Sequence, residues 1–437
     1  MGYTVGSLTL MSNENARSRE RNFRNLGAIE EVADSIVPLG NLRELIQSGQ
    51  VVTLHGRRKS IAVGSGVLVK VNTSVGLGIS TPEAVRTEIE KVNTLTDLGY
   101  GPDTMMDLSI RETEEPMYER IVDIFGGPVG TLPHYLCYDY INRSIDPTKL
   151  MSMIKAQAKA GVAFMTLHPT PTRELYEKAK LQRTTPITSR GGGLVVNDLL
   201  NNGRNENIIS ELFPDILEVM NEFGVAVSIG SAFRPATILD ALDDVHMEEY
   251  ERQGLFIEQA RQAGVPVIME GVGHMPINKI PVYAEMVKRY GIPFMPLGPI
   301  VTDAAVGEDH IANAIGSTFM ASLGAAHILN SITREEHTGK IPSLESIIEG
   351  VKAARIAEHT VNIANFSEAL EPDRNIADSR AANNTCVVDG GLFTKSAERR
   401  FNMGCTRCGP QCPLLERKEV QFGIGAPSSQ GPILHQL

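Results

Sequence analysis

Short runs of apolar and β-branched residues recur along the chain from residue 67 onward. Each is followed by a longer stretch in which apolar positions return every three or four residues. The short runs are Val67–Asn72, Thr104–Leu108, Val129–Pro133, Ala163–His168, Pro186–Ser189, Ala226–Gly230, Pro266–Glu270 and Phe294–Gly298, eight in all. The stretches with helical spacing include Pro82–Leu98, Pro147–Ala160, Ile208–Phe223, Met247–Ala263 and Ile280–Tyr290. Strands alternating with helices predict a parallel sheet with right-handed crossovers. Eight such units over about 250 residues predict an α/β fold of the (β/α)8 TIM-barrel type rather than an open doubly wound sheet. No GxGxxG follows the first run, which also weighs against a dinucleotide-binding fold.

Four regions follow from this rhythm. Residues 1–65 form a small N-terminal region with helices near Ala28–Ser35 and Asn41–Ser48. Residues 66–308 form the barrel. Residues 309–395 form a C-terminal helical domain with long helices at Asp309–Asn330 and Ser343–Asn365, and periodicity fades from about residue 370. Residues 396–437 form a cysteine-bearing arm and a tail rich in Gly, Pro and Ser.

Composition removes several classes of function. Of 437 residues, 42% are hydrophobic and 21% charged, enough for a sizeable core. A formal charge of −11 argues against nucleic-acid binding, which needs a basic stripe. No apolar run approaches the roughly 20 residues of a membrane helix, so no membrane span is expected. The start lacks a compact secretory core, and five unevenly placed cysteines do not form a disulfide framework. The expectation is a protein of the reducing cytoplasm.

Chemistry in such a barrel sits at the C-terminal ends of the strands. Polar residues fall there: Asn72; Asp107 and Ser109; His134 and Tyr135; His168; Ser189-Arg190-Gly191-Gly192-Gly193; Ser231 and Arg234; Glu270 and His274. One Asn or Tyr at a strand end is ordinarily a loop hydrogen-bonder, but seven successive strand ends define a shared site. The SRGGG run offers backbone N–H groups and a guanidinium to an anion, and Arg234 offers a second guanidinium, which suggests a phosphorylated substrate. Glu270 and His274 stand four residues apart on a Gly-rich turn, one suited to proton transfer and the other to metal ligation. A second histidine is needed for a metal, and spacing alone leaves both His310 and His337 open.

Three of the five cysteines, Cys405, Cys408 and Cys412, lie within eight positions, with Pro413 after them. Their spacing matches the last three cysteines of the bacterial ferredoxin run. Three thiolates so close need a metal to neutralise them. Spacing favours an iron–sulfur cluster and leaves a zinc site open, with Cys386 or His435 as its fourth ligand. Cys137 belongs to the third strand region and reads as inert.

Together these residues resemble the radical S-adenosylmethionine enzymes related to phosphomethylpyrimidine synthase, which rearranges aminoimidazole ribotide. The resemblance runs from about residue 65 to the cysteine arm. It rests on KVNTSVG (70–76), DTMMDLS (103–109), GTLPHY (130–135), FMTLH (164–168), SRGG (189–192), FRP (233–235), EGVGHMP (270–276), LGPIVTD (297–303) and TREEH (333–337). It implies a [4Fe-4S] cluster on Cys405, Cys408 and Cys412 that binds S-adenosylmethionine. It implies one mononuclear divalent metal, zinc or iron, on His274 and His337. Substrate positions would be Ser74, Met106, Tyr135, His168, Ser189, Arg190, Gly191, Ser231, Arg234 and Glu270, with Glu270 and His168 as proton handlers. An electron donor such as flavodoxin or ferredoxin and a homodimer are implied as partners.

The departures from the family pattern concern the same pocket. The family's V-N-A-N-I-G has Ser74 in place of its second Asn, and D-G-L-R-P-G has Ser231 in place of Asp. E-G-P-G-H has Val272 for Pro, F-Y-T-L-G-P has Met295 for Tyr, and the last cysteine spacing is one residue shorter. Loss of Asp, Asn and Tyr with retention of SRGG points to the same phosphorylated substrate taken to another product. The expected product is a hydroxybenzimidazole for cobalamin, with the thiamine pyrimidine as the alternative.

Overall fold

A computed structural model describes residues 39–383, 386 and 391–393, which fall into two compact units divided between Phe366 and Ser367. The helix expected at Ala28–Ser35, the cysteine run at 405–412 and the tail lie outside the described residues. The first unit opens with the helix Leu39–Gln47, where Asn41–Ser48 was expected. An antiparallel hairpin follows, β1 (Val51–His55) with β2 (Ser60–Gly64).

The strands that follow are β3 (Lys70–Val75), β4 (Thr104–Asp107), β5 (Val129–Thr131), β6 (Tyr138–Asp139), β7 (Ser144–Ile145), β8 (Phe164–Leu167), β9 (Ala226–Ile229), β10 (Val267–His274), β11 (Phe294–Ile300) and β12 (Ile328–Asn330). Strands β6 and β7 make a small antiparallel pair. The others form an eight-stranded parallel sheet in the order β11-β10-β9-β8-β5-β4-β3-β12, flanked by helices. The seam between β11 and β12 is bridged by the His327 N–H donating to the Phe294 carbonyl at 2.9 Å and by Asn330 Nδ2 donating to the Pro296 carbonyl at 2.8 Å. This is the expected (β/α)8 barrel, nearly closed.

Two helices fall where the sequence put them, for local reasons. Thr81 caps the helix Pro82–Asp97, and Asp146 caps the helix Pro147–Ala160, which ends at Gly161 with φ 91°. A capping oxygen followed by Pro at the first helical position fixes a start, and a left-handed Gly fixes an end.

Two strand assignments change. Pro186–Ser189 is not a strand: Pro186 lacks a ladder donor, and Ser189 caps the helix Arg190–Asn201 by accepting from the Gly192 N–H at 3.1 Å. The missing strand is β12, inside the run expected to be one helix from Asp309 to Asn330. That helix stops at Ser322, before Gly324 with φ 70°, and β12 then pairs with β3. A barrel ending at residue 308 would therefore lack its last strand. Beyond the long helix Leu344–Asn365 the second unit contains a helix at Glu371–Asn383, where the periodicity had faded.

Asn72, read from sequence as a strand-end polar group, is fully buried and belongs to the core. It accepts from Thr104 Oγ1 at 2.8 Å, and its Nδ2 donates to Asn330 Oδ1 at 2.7 Å. With Asn330 bonded to Pro296, this chain of amides ties β4, β3, β12 and β11 together across the seam. Buried amides are stable only when so satisfied.

Candidate active site

The C-terminal strand ends gather most of the residues the sequence singled out. The SRGGG run is the first turn of a 12-residue helix rather than a loop, with the Gly192 and Gly193 N–H groups already bonded to Ser189, so the helix N-terminus with its positive dipole end lies at the site. Ser189 Oγ also meets His168 Nε2 at 3.1 Å. His168 and His134 are buried and stand edge to face, ring centroids 5.5 Å apart. A Cβ on Gly191 would lie 2.5 Å from His168 Cε1 and 3.0 Å from His134 Nε2, so only glycine lets the helix approach both rings. Burial pushes the His134 imidazole down to about 3 and lowers His168 strongly, so both are neutral. His168 Nδ1 is buried without a hydrogen bond.

Arg190 lies over the Tyr135 ring, 5.7 Å from its centroid, and burial raises the Tyr135 phenol to about 12. Met106 is buried at the end of β4, and Ser74 is half-buried near the end of β3. Asp107, also on β4, accepts from the Ser109 N–H at 2.9 Å, and burial raises its carboxyl to about 6.

After β9 the chain turns through Ser231–Pro235. Glu249, fully buried on the helix Asp244–Gln262, organises this turn by accepting four hydrogen bonds. They come from Ser231 Oγ at 2.6 Å, the Ala232 N–H at 2.6 Å, the Phe233 N–H at 2.8 Å and Thr170 Oγ1 at 2.8 Å. Ser231, expected to face substrate, is 1% exposed and gives its proton to Glu249. Arg183 holds the same turn from the other side through the Phe233 carbonyl at 2.7 Å and a two-pronged pair with Asp243. Arg234 then reaches Glu270, Nη1 to Oε1 3.5 Å, while Nη1 also donates to the Ser231 carbonyl. Burial raises the Glu270 carboxyl and Arg234 opposes that; its Oε2 is buried without a hydrogen bond. Buried polar atoms left free at a strand end mark a place for a ligand.

The third group lies at the ends of β10 and β11. The β10–β11 register shifts between Val272 and His274, where Val272 has φ 73° and Gly273 φ 82°. This bulge re-aims His274. Proline, with φ locked near about −65°, could not occupy this backbone. His274 Nε2 faces His337 Nε2 at 3.2 Å. Each ring's Nδ1 is held by a carboxylate oxygen at 2.7 Å, Asp303 for His274 and Asp309 for His337. His310, the other histidine left open by spacing, instead lies 3.9 Å from Glu308. Among the described residues no three His, Cys, Asp or Glu side chains form a metal-ligand set; the convergence is a pair.

Glu249, Asp303 and Asp309 were not singled out from sequence. Glu249 had a signal: it stands with Val245, Gln253, Phe256 and Ile257 on the buried face of its helix, where a carboxylate needs a reason. A groove of about 560 Å³ at the opposite end of the barrel, between the β1–β2 hairpin and the strand starts, holds none of these residues.

A parallel barrel with buried titratable groups converging at its C-terminal mouth is an enzyme architecture. Sequence comparison gives the family. The profile of the Radical SAM ThiC family matches residues 16–419, and the chain belongs to that family. It is 34% identical over 398 residues to the phosphomethylpyrimidine synthase of Ignicoccus hospitalis, covering 86% of this chain and 89% of that one. It is 33% identical over 392 residues to the 5-hydroxybenzimidazole synthase BzaA of Eubacterium limosum, covering 85% and 90%. A dihydropteroate synthase of Xanthomonas albilineans superposes with a TM-score of 0.39 at 12% identity, covering 67% of this chain and 93% of that one. Family membership implies a [4Fe-4S] cluster and S-adenosylmethionine. Among the described residues no helix is long and apolar enough to cross a membrane.

Proposed function

We propose that the chain binds aminoimidazole ribotide at the mouth of the barrel and converts it to 5-hydroxybenzimidazole, the lower-ligand precursor of anaerobic cobalamin. The observation that carries the choice of product is Ser231. Where the pyrimidine-forming pattern has an aspartate, this chain has a hydroxyl whose proton is committed to Glu249, so position 231 offers the substrate no carboxylate. Met295, in place of the pattern's tyrosine, is buried and adds no hydroxyl.

The substrate phosphate would lie at the N-terminus of the helix Arg190–Asn201, with Ser189, Arg190 and the Gly191 N–H as donors. Arg234 would add a second guanidinium. Tyr135, Met106 and Ser74 would line the ring and ribose. The neutral His168 imidazole, tied to Ser189 through Nε2, would present Nδ1 to the substrate. Glu270, with its raised proton affinity and free Oε2, would take up and return protons.

His274 and His337 suit one divalent metal, zinc or iron. With each Nδ1 turned to a carboxylate, the two Nε2 atoms converge, where they would hold one cation between them. Two imidazoles on a tetrahedral metal have their nitrogens about 3.3 Å apart, close to the 3.2 Å seen here. The cluster ligands Cys405, Cys408 and Cys412 lie outside the described residues. When bound, the cluster and S-adenosylmethionine supply the radical that opens the reaction.

The test is anaerobic. The protein, reconstituted with iron and sulfide, is given S-adenosylmethionine, a strong reductant and aminoimidazole ribotide, and products are identified by mass spectrometry. A hydroxybenzimidazole is expected. A pyrimidine phosphate would replace this reading with the thiamine one, which the Ignicoccus hospitalis relative supports. Cys408→Ala should abolish 5′-deoxyadenosine formation with the far-UV circular dichroism unchanged; retained cleavage without a cluster would overturn the family chemistry here.

A further inference from the structure

We propose that Asp303 and Asp309 are the positioning residues of the two-histidine site, and that Asp303 also ties that site to the loop carrying Arg234. The inference rests on the reading of His274 and His337 as a metal-binding pair. The two rings come from distant parts of the chain, 63 residues apart, and neither backbone alone fixes ring rotation or tautomer. Each ring meets one carboxylate oxygen at 2.7 Å through Nδ1, which places the proton on Nδ1 and leaves Nε2 as the ligating lone pair. The two supports differ in setting. Asp309 is 2% exposed and opens the helix Asp309–Ser322, where the dipole favours its negative charge. Asp303 is 37% exposed.

Asp303 also does something Asp309 does not. It accepts from the Ile238 N–H, at 3.2 Å to Oδ1 and 3.0 Å to Oδ2. The His274 N–H donates to the Pro235 carbonyl at 3.0 Å. The segment 235–238, which directly follows Arg234, is thus fastened at one end to His274 itself and at the other to Asp303, which holds the His274 ring. A change in His274 that accompanies metal binding is felt at Arg234, and an anion drawn to Arg234 is felt at His274.

Cobalt(II) is the probe, because its d–d absorption reports nitrogen and oxygen ligation directly. The full chain carries Cys405→Ser, Cys408→Ser and Cys412→Ser so that thiolates do not compete for the metal. Affinity is measured against a chelator for this protein and for added Asp303→Asn, Asp309→Asn, His274→Ala and His337→Ala, with thermal unfolding as the control for folding. Both Asp→Asn variants are expected to bind cobalt about 10- to 100-fold more weakly, with altered d–d bands. Aminoimidazole ribotide is expected to change cobalt affinity in the parent and in Asp309→Asn but not in Asp303→Asn. Cobalt binding indifferent to both His→Ala changes would overturn the reading of the pair itself. Binding lost in the His variants but unchanged in both Asp variants would overturn this proposal alone. Asp303→Glu, which keeps a carboxylate, should recover part of the affinity; equal loss in Asp303→Glu and Asp303→Asn would also count against positioning.

Discussion

Glu249→Gln isolates the carboxylate beneath the Arg234 turn while preserving its volume. The native carboxylate accepts four hydrogen bonds in a fully buried setting, two of them from backbone N–H groups that have no alternative. Glutamine keeps one accepting oxygen and sets an NH2 against donors on the other side, where either Ala232 or Phe233 loses its acceptor. One buried N–H left unpaired costs about 1–3 kcal/mol, and the charge-assisted character of the remaining bonds is lost as well. The sum is about 3 kcal/mol. For a unit of about 330 described residues, with unfolding entropy of about 2.1 cal/mol/K per residue, that is a fall of about 4 °C in Tm. Scanning calorimetry of wild type and variant measures it. A second readout follows from the site: the turn presents Arg234, so KM for aminoimidazole ribotide should rise several-fold while S-adenosylmethionine cleavage without substrate is unchanged. A variant with Tm within 1 °C of wild type (a change of under about 0.7 kcal/mol) and an unchanged KM would refute the argument that Glu249 holds the turn.

Gly191→Ala puts a methyl group 2.5 Å from His168, whose ring is buried and cannot withdraw. Overpacking of about 1–3 kcal/mol outweighs the helix-propensity gain of about 1 kcal/mol, and substrate KM should rise. Val272→Gly should be close to neutral by calorimetry, because relief of a left-handed backbone offsets the loss of a buried side chain. Val272→Pro should lower Tm, since its locked φ is incompatible with the 73° this backbone holds. Acid should destabilise the fold from about pH 6.5 downward. His134 and His246 are held near 3 and His327 near 4, so the unfolded chain takes up protons that the folded one refuses. Their contribution is present above pH 6.5 and is lost as pH falls, about 1.2 kcal/mol each between pH 7 and 5.5. Asp107, raised to about 6, works in the opposite direction by under about 1 kcal/mol, as do the raised carboxyls of Glu249, Glu270 and Glu358, while the lowered His168 adds to the loss. Urea unfolding at both pH values measures the loss, and imidazole NMR signals of His134, His246 or His327 that titrate near about pH 6.5 would show that these rings are not held neutral.

Much of the barrel was legible because each helix start and strand run is written locally: Thr81 before Pro82, Asp146 before Pro147, β-branched runs at the strands. What failed were short elements in misleading company. β12 is three residues long, and the Ala- and Gly-rich segment before it reads as one continuous helix; Gly324 was the mark of its end. Ser189 reads as the end of a strand because a capping serine and a strand-end serine look alike until the glycines after it are seen to be helical. The site divides the same way. His168, Arg234, Glu270 and His274 announce themselves at strand ends, where the barrel puts chemistry. Ser231 also stands at a strand end, yet its hydroxyl turns inward. The choice between His310 and His337 depends on contacts across 63 residues, and the partnerships of Glu249, Asp303 and Asp309 likewise cross elements, so no spacing records them.

Two of those carboxylates, Glu249 and Asp303, fix one short loop between Arg234 and the histidine pair. From Ser231 to Ile238 the chain is gripped at its start by Glu249, in its middle by the His274 N–H on Pro235, and at its end by Asp303. Arg234 stands between the first two grips. A loop free to move would let the guanidinium collapse fully onto Glu270 in a tight pair; at 3.5 Å and bonded to the Ser231 carbonyl it is held short of that. Glu270 keeps one oxygen without a partner, and Arg234 keeps its Nε unpaired. The desolvation cost of those free atoms is recovered only when a partner pairs with them, so the held loop keeps an unmet polar demand at this point. The same rigidity sets the distance from the Arg234 guanidinium to the histidine pair, so Glu249 and Asp303 fix the geometry here as much as the residues they hold.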